Sequence, residues 1–273
     1  MPELPEVETI VRGLRPHFLH VRIMSVQVRG IPVFKGSPSE FCRRLEGREI
    51  ISIERHGKSI FLDLGPTSHN PPISLRIHLG MTGQLLIKTP EDSFESHTHL
   101  VFSFEGSHHE LRYRDIRRFG EMEILLAPRA PSKIPDAWTS PKDELNSSLR
   151  NIKGFLKHAL LSQKVVAGLG NIYVDEALHK AKLHPKRVGT RLRSAQWDLL
   201  TDSIKKVLAD SIEVGGTSFR NYVDINGSRG GFKARLSVYG KSGQHCSCGA
   251  RIKKILVAGR GTHFCPQCQP SPR

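Results

Sequence analysis

Pro2, directly behind Met1, has the most chemistry to offer in this chain. A small residue at that position permits removal of the initiator methionine, and the chain then starts with a free secondary amine instead of an amide. An α-amino group titrates near ~7.7–8.0, so an appreciable fraction is unprotonated at neutral pH; a lysine, near ~10.4, needs a large shift to match it. Such an amine can attack the anomeric carbon of a sugar and form an iminium, a Schiff base. Glu3 stands beside it as a proton carrier.

The second constellation lies at the other end. Cys246-Ser247-Cys248 is followed by sixteen residues and then Cys265-Pro266-Gln267-Cys268. Two close pairs across a hairpin-sized gap can close a tetrahedral zinc site with no open position, so one structural zinc is expected. In a cytoplasmic protein such pairing indicates zinc and not disulfides. The first pair is one residue shorter than a usual knuckle, and His245 lies at the usual spacing from Cys248. The fourth ligand is therefore Cys246 or His245, with Cys246 favoured. Between the pairs, Arg260 sits between Gly259 and Gly261, placed to reach a phosphate or a lesion, or else to project into solvent. Cys42 stands alone and reads as a small buried apolar residue.

Other segments carry weaker signals. Arg55-His56-Gly57-Lys58 puts a lysine at a strand turn. Segments 78–83, with Met81, and 115–120, with Arg117 and Phe119, pair polar or cationic groups with one apolar side chain. A base swung out of a duplex leaves a hole that Met, Phe or Arg can fill; taken singly, Met81 and Phe119 are better explained as core. Segment 166–173 joins two helices, with Asn171 placed to cap the second and leave its first N–H groups for a phosphate. Gly57-Lys58-Ser59 lacks the upstream glycine of a phosphate-binding loop, because Ser52 is there. Gly168-Leu169-Gly170 has Tyr173 where a dinucleotide fingerprint needs its third glycine.

These residues need elements to hold them. Leu4, Val7, Val11 and Leu14 recur at helical spacing over 3–14. From 21 to 127 the pattern becomes strand-like, with runs at 21–28, 51–53, 60–62, 73–77 and 100–104 separated by turn residues. This predicts an antiparallel sandwich or barrel. Residues 128–143, with Pro128, Pro131, Pro135 and Pro141, read as a linker. Three helices follow: Leu145 to Leu160 marks one, Ile172 to Leu183 another, and Trp197 to Ile212 a third that Gly215-Gly216 stops. The formal net charge of +15 points to a polyanionic partner, most simply nucleic acid. The last 49 residues contain no Asp or Glu. No apolar run approaches the ~18 residues of a membrane helix, and the N-terminus has acids and prolines where a signal peptide has a basic start and an apolar stretch, so a cytoplasmic location is expected.

Together, Pro2-Glu3-Leu4-Pro5-Glu6-Val7-Glu8-Thr9, the turn from Gly168 to Tyr173 and the hairpin Gly259-Arg260-Gly261-Thr262 resemble the hallmark segments of the bacterial formamidopyrimidine-DNA glycosylase family. The resemblance runs in order over nearly the whole chain. It implies an α+β multidomain fold: an N-terminal antiparallel β-sandwich with a flanking helix over 1–130, a linker over 131–143, a helix-two-turn-helix domain over 144–235 and a zinc-ribbon finger over 236–273. It implies a monomeric, nucleoid-associated bacterial enzyme that excises oxidised purines (8-oxoguanine, formamidopyrimidines) from duplex DNA and then cleaves the strand. Pro2 would be the Schiff-base nucleophile, Glu3 the proton donor in base release, Lys58 the proton donor for β-elimination and Arg260 that for δ-elimination. Met81, Arg117 and Phe119 would fill the duplex void, His97, Arg117 and Asn171 would contact DNA, and Arg220 falls in the loop region of lesion recognition. The related endonuclease VIII proteins have Gly where Leu4 stands, which favours purines; action on oxidised pyrimidines is the alternative, and a non-catalytic zinc-ribbon DNA-binding protein is another. The chain departs from the family in the short first zinc pair, in Leu160-Leu161-Ser162-Gln163 where the family has Leu-Leu-Asp-Gln, and around Ile134-Pro135-Asp136.

Overall fold

The apolar repeat near the N-terminus folds as α1, Leu4–Phe18. It runs four residues past the expected end, through Pro16. Proline removes one intrahelical hydrogen bond, but the extension buries Phe18, whose ring stacks on Phe104 at 4.2 Å between centroids. The computed structural model describes residues 1–127 and 130–271; Pro128 and Arg129, at the start of the expected linker, lie outside the described residues, as do Pro272 and Arg273. The chain divides into two units, Met1–Pro131 with Gly215–Gly231, and Ser132–Val214 with Phe232–Arg273.

The first unit contains two four-stranded antiparallel sheets. One has the order β1 (Ile23–Val28), β6 (Thr98–Phe104), β7 (Glu110–Asp115), β5 (Gly83–Lys88); the other has β2 (Ile50–His56), β3 (Ser59–Leu64), β4 (Ile73–His78), β8 (Glu121–Leu125). Their apolar faces and α1 share one core, including Leu14, Ile53, Leu62, Leu75, Phe102 and Leu111. The expected sandwich with its flanking helix is therefore present. β7 and β8 escape the apolar pattern because charges interrupt them, and β5 because its apolar run spans only Leu85 to Ile87. In the fold the charges of β8 are paired across strands: Arg76 of β4 meets Glu121 at 2.9 Å and Glu123 at 2.7 Å. A short helix, α2 (Pro38–Leu45), also lies outside the pattern; Ser37 caps it by accepting the Glu40 N–H. It carries Cys42, which is half-buried against the core and not enclosed as expected.

In the second unit the single helix expected over 145–160 is two, α3 (Lys142–Arg150) and α4 (Leu156–Leu161). The apolar period continues across the break, but the backbone at 154–156 pairs elsewhere: Gly154 accepts the Gly189 N–H and Leu156 donates to Arg187. α5 (Asn171–Lys180) ends three residues before Leu183, which is still buried. α6 (Ser194–Glu213) ends at the expected place. β9 (Lys253–Val257) and β10 (Arg260–Phe264) form the finger hairpin. Residues 215–231 fall within the expected helical domain but pack with the first unit. Among the described residues no helix is long and apolar enough to cross a membrane.

Candidate active site and zinc centre

Pro2 and Glu3 are both buried where the chain enters α1. Burial lowers the terminal amine below its ordinary 8.0; Glu3 and Glu6 push it back up, while Lys58 and Arg117 lower it further. Both cations are therefore within electrostatic reach of the terminus. Loss of Met1 would place the amine on the Pro2 nitrogen, one residue deeper. Lys58 is half-buried at the β2–β3 turn, where Gly57 at φ +59° takes the mirror-image conformation that two-residue hairpins need. His78, opposite Ser59 on β4, is pushed down by burial and by Arg76 and Lys58, which keeps its ring neutral.

Glu6 fixes the entry. One carboxylate oxygen accepts the Glu3 N–H at 2.7 Å and the other accepts the Thr217 N–H at 2.7 Å. Gly216, at φ +84°, lies so close that a Cβ there would stand 2.8 Å from the Glu6 carboxylate. One buried acid thus ties the start of α1 to segment 215–231, which bears Arg220. Arg220 is exposed, and the loop around it is pinned by Gln84 donating to the Asn221 carbonyl and by Ile87 donating to that of Ile225.

Met81, Arg117 and Phe119 are brought together. Arg117 lies over the Phe119 ring, 4.4 Å from its centroid, and its Nη1 is 3.4 Å from the Met81 sulfur. Met81 is 42% exposed and Phe119 55%, so the core explanation fails for both. Asp115, fully buried, builds this cluster. It accepts from Thr82 at 2.5 Å, from the Gly120 N–H at 2.8 Å, from Tyr113 at 3.1 Å and from the Arg117 N–H at 3.2 Å. Burial raises its carboxyl, but these donors more than reverse that and hold it below its ordinary value. His97 is exposed before β6 at φ +69°, and its carbonyl accepts the Asp115 N–H, which sets it at the same end of the sheet.

In the second unit two adjacent acids of α5 organise the finger. Asp175 receives the buried Lys157 ammonium at 2.5 Å and the His263 N–H of β10 at 2.8 Å. Glu176 accepts three successive backbone N–H groups, those of Ser237, Val238 and Tyr239. Gly170, and not Asn171, is the N-cap of α5. The Asn171 side chain instead donates to the Gly261 carbonyl at 3.0 Å, next to Arg260. Side-chain reach toward β10 has won over capping. Gln163 closes the preceding loop through the Gly168 N–H and the Leu169 carbonyl. Arg260 is exposed where the hairpin turns through Ala258 and Gly259.

The Sγ atoms of Cys246, Cys248, Cys265 and Cys268 all lie within 4.8 Å of one another. Cys246 is 3.9 Å from Cys268 and Cys248 is 3.4 Å from Cys265. Zinc–thiolate bonds of ~2.3 Å in a tetrahedron require sulfurs about 3.8 Å apart, so the residues fit the ion. His245 is exposed and, among the described residues, outside the group. Zinc bound there would hold the finger folded, with all four positions filled.

Family models agree with this architecture. The formamidopyrimidine-DNA glycosylase N-terminal domain matches residues 1–122, the H2TH domain of the same enzymes matches 134–223, and the zinc finger found in FPG and IleRS matches 247–270. The formamidopyrimidine-DNA glycosylase of Carboxydothermus hydrogenoformans is 40% identical over 98% of this chain and 100% of its own. The chain belongs to the formamidopyrimidine-DNA glycosylase family. Among solved structures, MutM in complex with carbocyclic 8-oxo-G containing DNA superposes with a TM-score of 0.86 at 38% identity, covering 99% of this chain and all of that one. Lactococcus lactis Fpg in complex with an abasic site containing DNA gives 0.85 at 36%, with the same coverage. This chain is thus a DNA repair glycosylase with a zinc-finger module. Within the family frame, Glu6, His78, Asp115, Lys157 and Glu176 are the residues that sequence reasoning gave no role. The available signal was an acid inside an otherwise apolar run, as at Asp175-Glu176.

Proposed function

We propose that this protein is a bifunctional enzyme that releases oxidised purines from duplex DNA and then cleaves the abasic strand. The observation that carries the reading is the buried terminus beside Glu3, with Lys58 and Arg117 acting on its amine. With Met1 removed, the Pro2 nitrogen attacks C1′ of the damaged nucleotide and the N-glycosidic bond breaks, the base leaving with a proton from Glu3; the C1′–O4′ bond then opens, O4′ taking up the proton that the amine loses, and an iminium remains. The iminium acidifies the C2′ proton; its removal expels the 3′ phosphate, with Lys58 serving the β-elimination. Arg260 serves the δ-elimination that expels the 5′ phosphate. Hydrolysis of the iminium returns the free amine and leaves a one-nucleotide gap. Met81, Arg117 and Phe119 occupy the space of the extruded base, and His97, Asn171 and Arg220 contact DNA. The similarity to proteins solved with 8-oxo-G and abasic-site DNA supports the substrate class.

Borohydride reduction tests the central step. The wild-type protein should become covalently trapped on 8-oxoguanine duplex, and Pro2→Gly should lose most of that trapping. Undiminished trapping by the variant would rule out Pro2 as the nucleophile. Faster release of thymine glycol than of 8-oxoguanine would move the substrate to oxidised pyrimidines and leave the Schiff-base chemistry untouched.

A further inference from the structure

The two halves of the zinc site are not held alike. In the Cys265-Pro266-Gln267-Cys268 half, the first sulfur accepts the Cys268 N–H at 3.4 Å, with the Gln267 N–H also donating to it. A full-length knuckle thus gives its first thiolate two backbone donors. The Cys246-Ser247-Cys248 half is one residue short. Its third N–H, that of Gly249, donates to the Cys246 carbonyl at 2.8 Å. The Cys248 N–H is then the backbone donor left for the Cys246 sulfur. The place so vacated is filled from another element. His179, half-buried in the last turn of α5, sets Nε2 3.4 Å from Cys246 Sγ, nearer than the Ser247 hydroxyl at 3.9 Å. A zinc-bound sulfur is a thiolate with no proton to give, so the ring nitrogen must be the donor.

We propose that the His179 Nε2–H is the nearest side-chain hydrogen-bond donor to the Cys246 thiolate, replacing a backbone N–H that the shortened knuckle cannot supply, and that it sets how firmly the site keeps its zinc. His179 is a positioning residue here. A donor to a metal-bound thiolate draws charge from the sulfur and fixes its direction. Loss of such an outer-shell partner typically costs about 10–100-fold in metal affinity.

The test uses the full-length, zinc-loaded protein and two readouts: the rate of zinc transfer to a chromogenic chelator, and the thiolate-to-metal charge-transfer band after cobalt(II) substitution. His179→Phe should speed zinc loss about tenfold and move the band to lower energy, because the sulfur regains electron density. His179→Gln, whose amide N–H reaches the same place, should restore both. Insertion of one residue between Ser247 and Cys248 should return the missing backbone donor and make His179→Phe silent in that background; this comparison also decides the matter if His179→Phe alone fails to fold. The proposal is overturned if His179→Phe matches wild type in both readouts, if His179→Gln is as defective as His179→Phe, or if the lengthened knuckle leaves the defect unchanged. Ligand-field bands of three sulfurs and one nitrogen in the wild-type protein would also overturn it, making His179 a ligand.

Discussion

At the scale of the residue, the terminal amine and Asp115 carry the sharpest expectations. The Met1 amine is depressed in the fold, chiefly by burial, and the Pro2 nitrogen one residue deeper should be depressed likewise, staying neutral until pH falls through the lowered value. Borohydride trapping should fall off on that acid side. Lys58 is one of the groups that lowers the amine, so Lys58→Met should move the acid limb of trapping toward higher pH, measured as trapped fraction against pH under single-turnover conditions. Asp115 has the opposite sign. Its carboxyl is held below its ordinary 3.8, so its contribution to stability is fully present above that value and is lost as pH falls through the folded one. Asp115→Asn can accept at one oxygen only and strands buried donors. It should cost about 2–4 kcal/mol in urea unfolding at pH 7, with the two proteins converging in acid. Pro2 and Glu3 could be proposed from sequence because their chemistry is intrinsic to the residue type, and Lys58 through the family resemblance. Asp115 was not, since its meaning comes from four donors that only the fold assembles.

At the scale of the element, the same division holds. Strands with uninterrupted apolar faces, such as β3 and β6, announce themselves, whereas β7 and β8 are hidden by charges, those of β8 finding their partner across the sheet in Arg76. Periodicity also misled over 145–160, because Gly154 and Leu156 take their backbone partners at 187–189 and break a helix that the pattern continues. Helix α5 was read correctly as a helix and incompletely as a device. Its acids point inward and bind the finger: Asp175 joins Lys157 of α4 to His263 of β10, and all three are buried. Removing one member of a buried ion pair leaves an uncompensated charge. Asp175→Ala should therefore lower the unfolding free energy of the full chain by about 3–5 kcal/mol, read by denaturant titration. A loss under ~1 kcal/mol, the level of an exposed pair, would contradict the pairing.

At the scale of the whole molecule, charge and chain order matter most. A net charge of +15 favours phosphate contact and makes duplex affinity salt-dependent. Duplex affinity should fall linearly on a logarithmic salt scale, with a slope of about −0.9 for each phosphate neutralised. Arg220→Gln should make that slope shallower by about one if the exposed Arg220 contacts a phosphate; an unchanged slope in fluorescence-anisotropy titrations would remove Arg220 from the interface. The acid-free C-terminal stretch made this partner visible in the sequence, but composition could not tell which of the many cations serve it.

The first unit is discontinuous, because Gly215–Gly231 returns to it. The Glu6 carboxylate receives an N–H from a residue 211 positions later in the chain. During translation the proposed nucleophile emerges first, yet Thr217, whose N–H the Glu6 carboxylate accepts, is added only when the ribosome has made most of the polypeptide. A nascent chain arrested before that point would carry the reactive amine on an unlatched helix. Competence for damage repair is in this sense acquired late in synthesis.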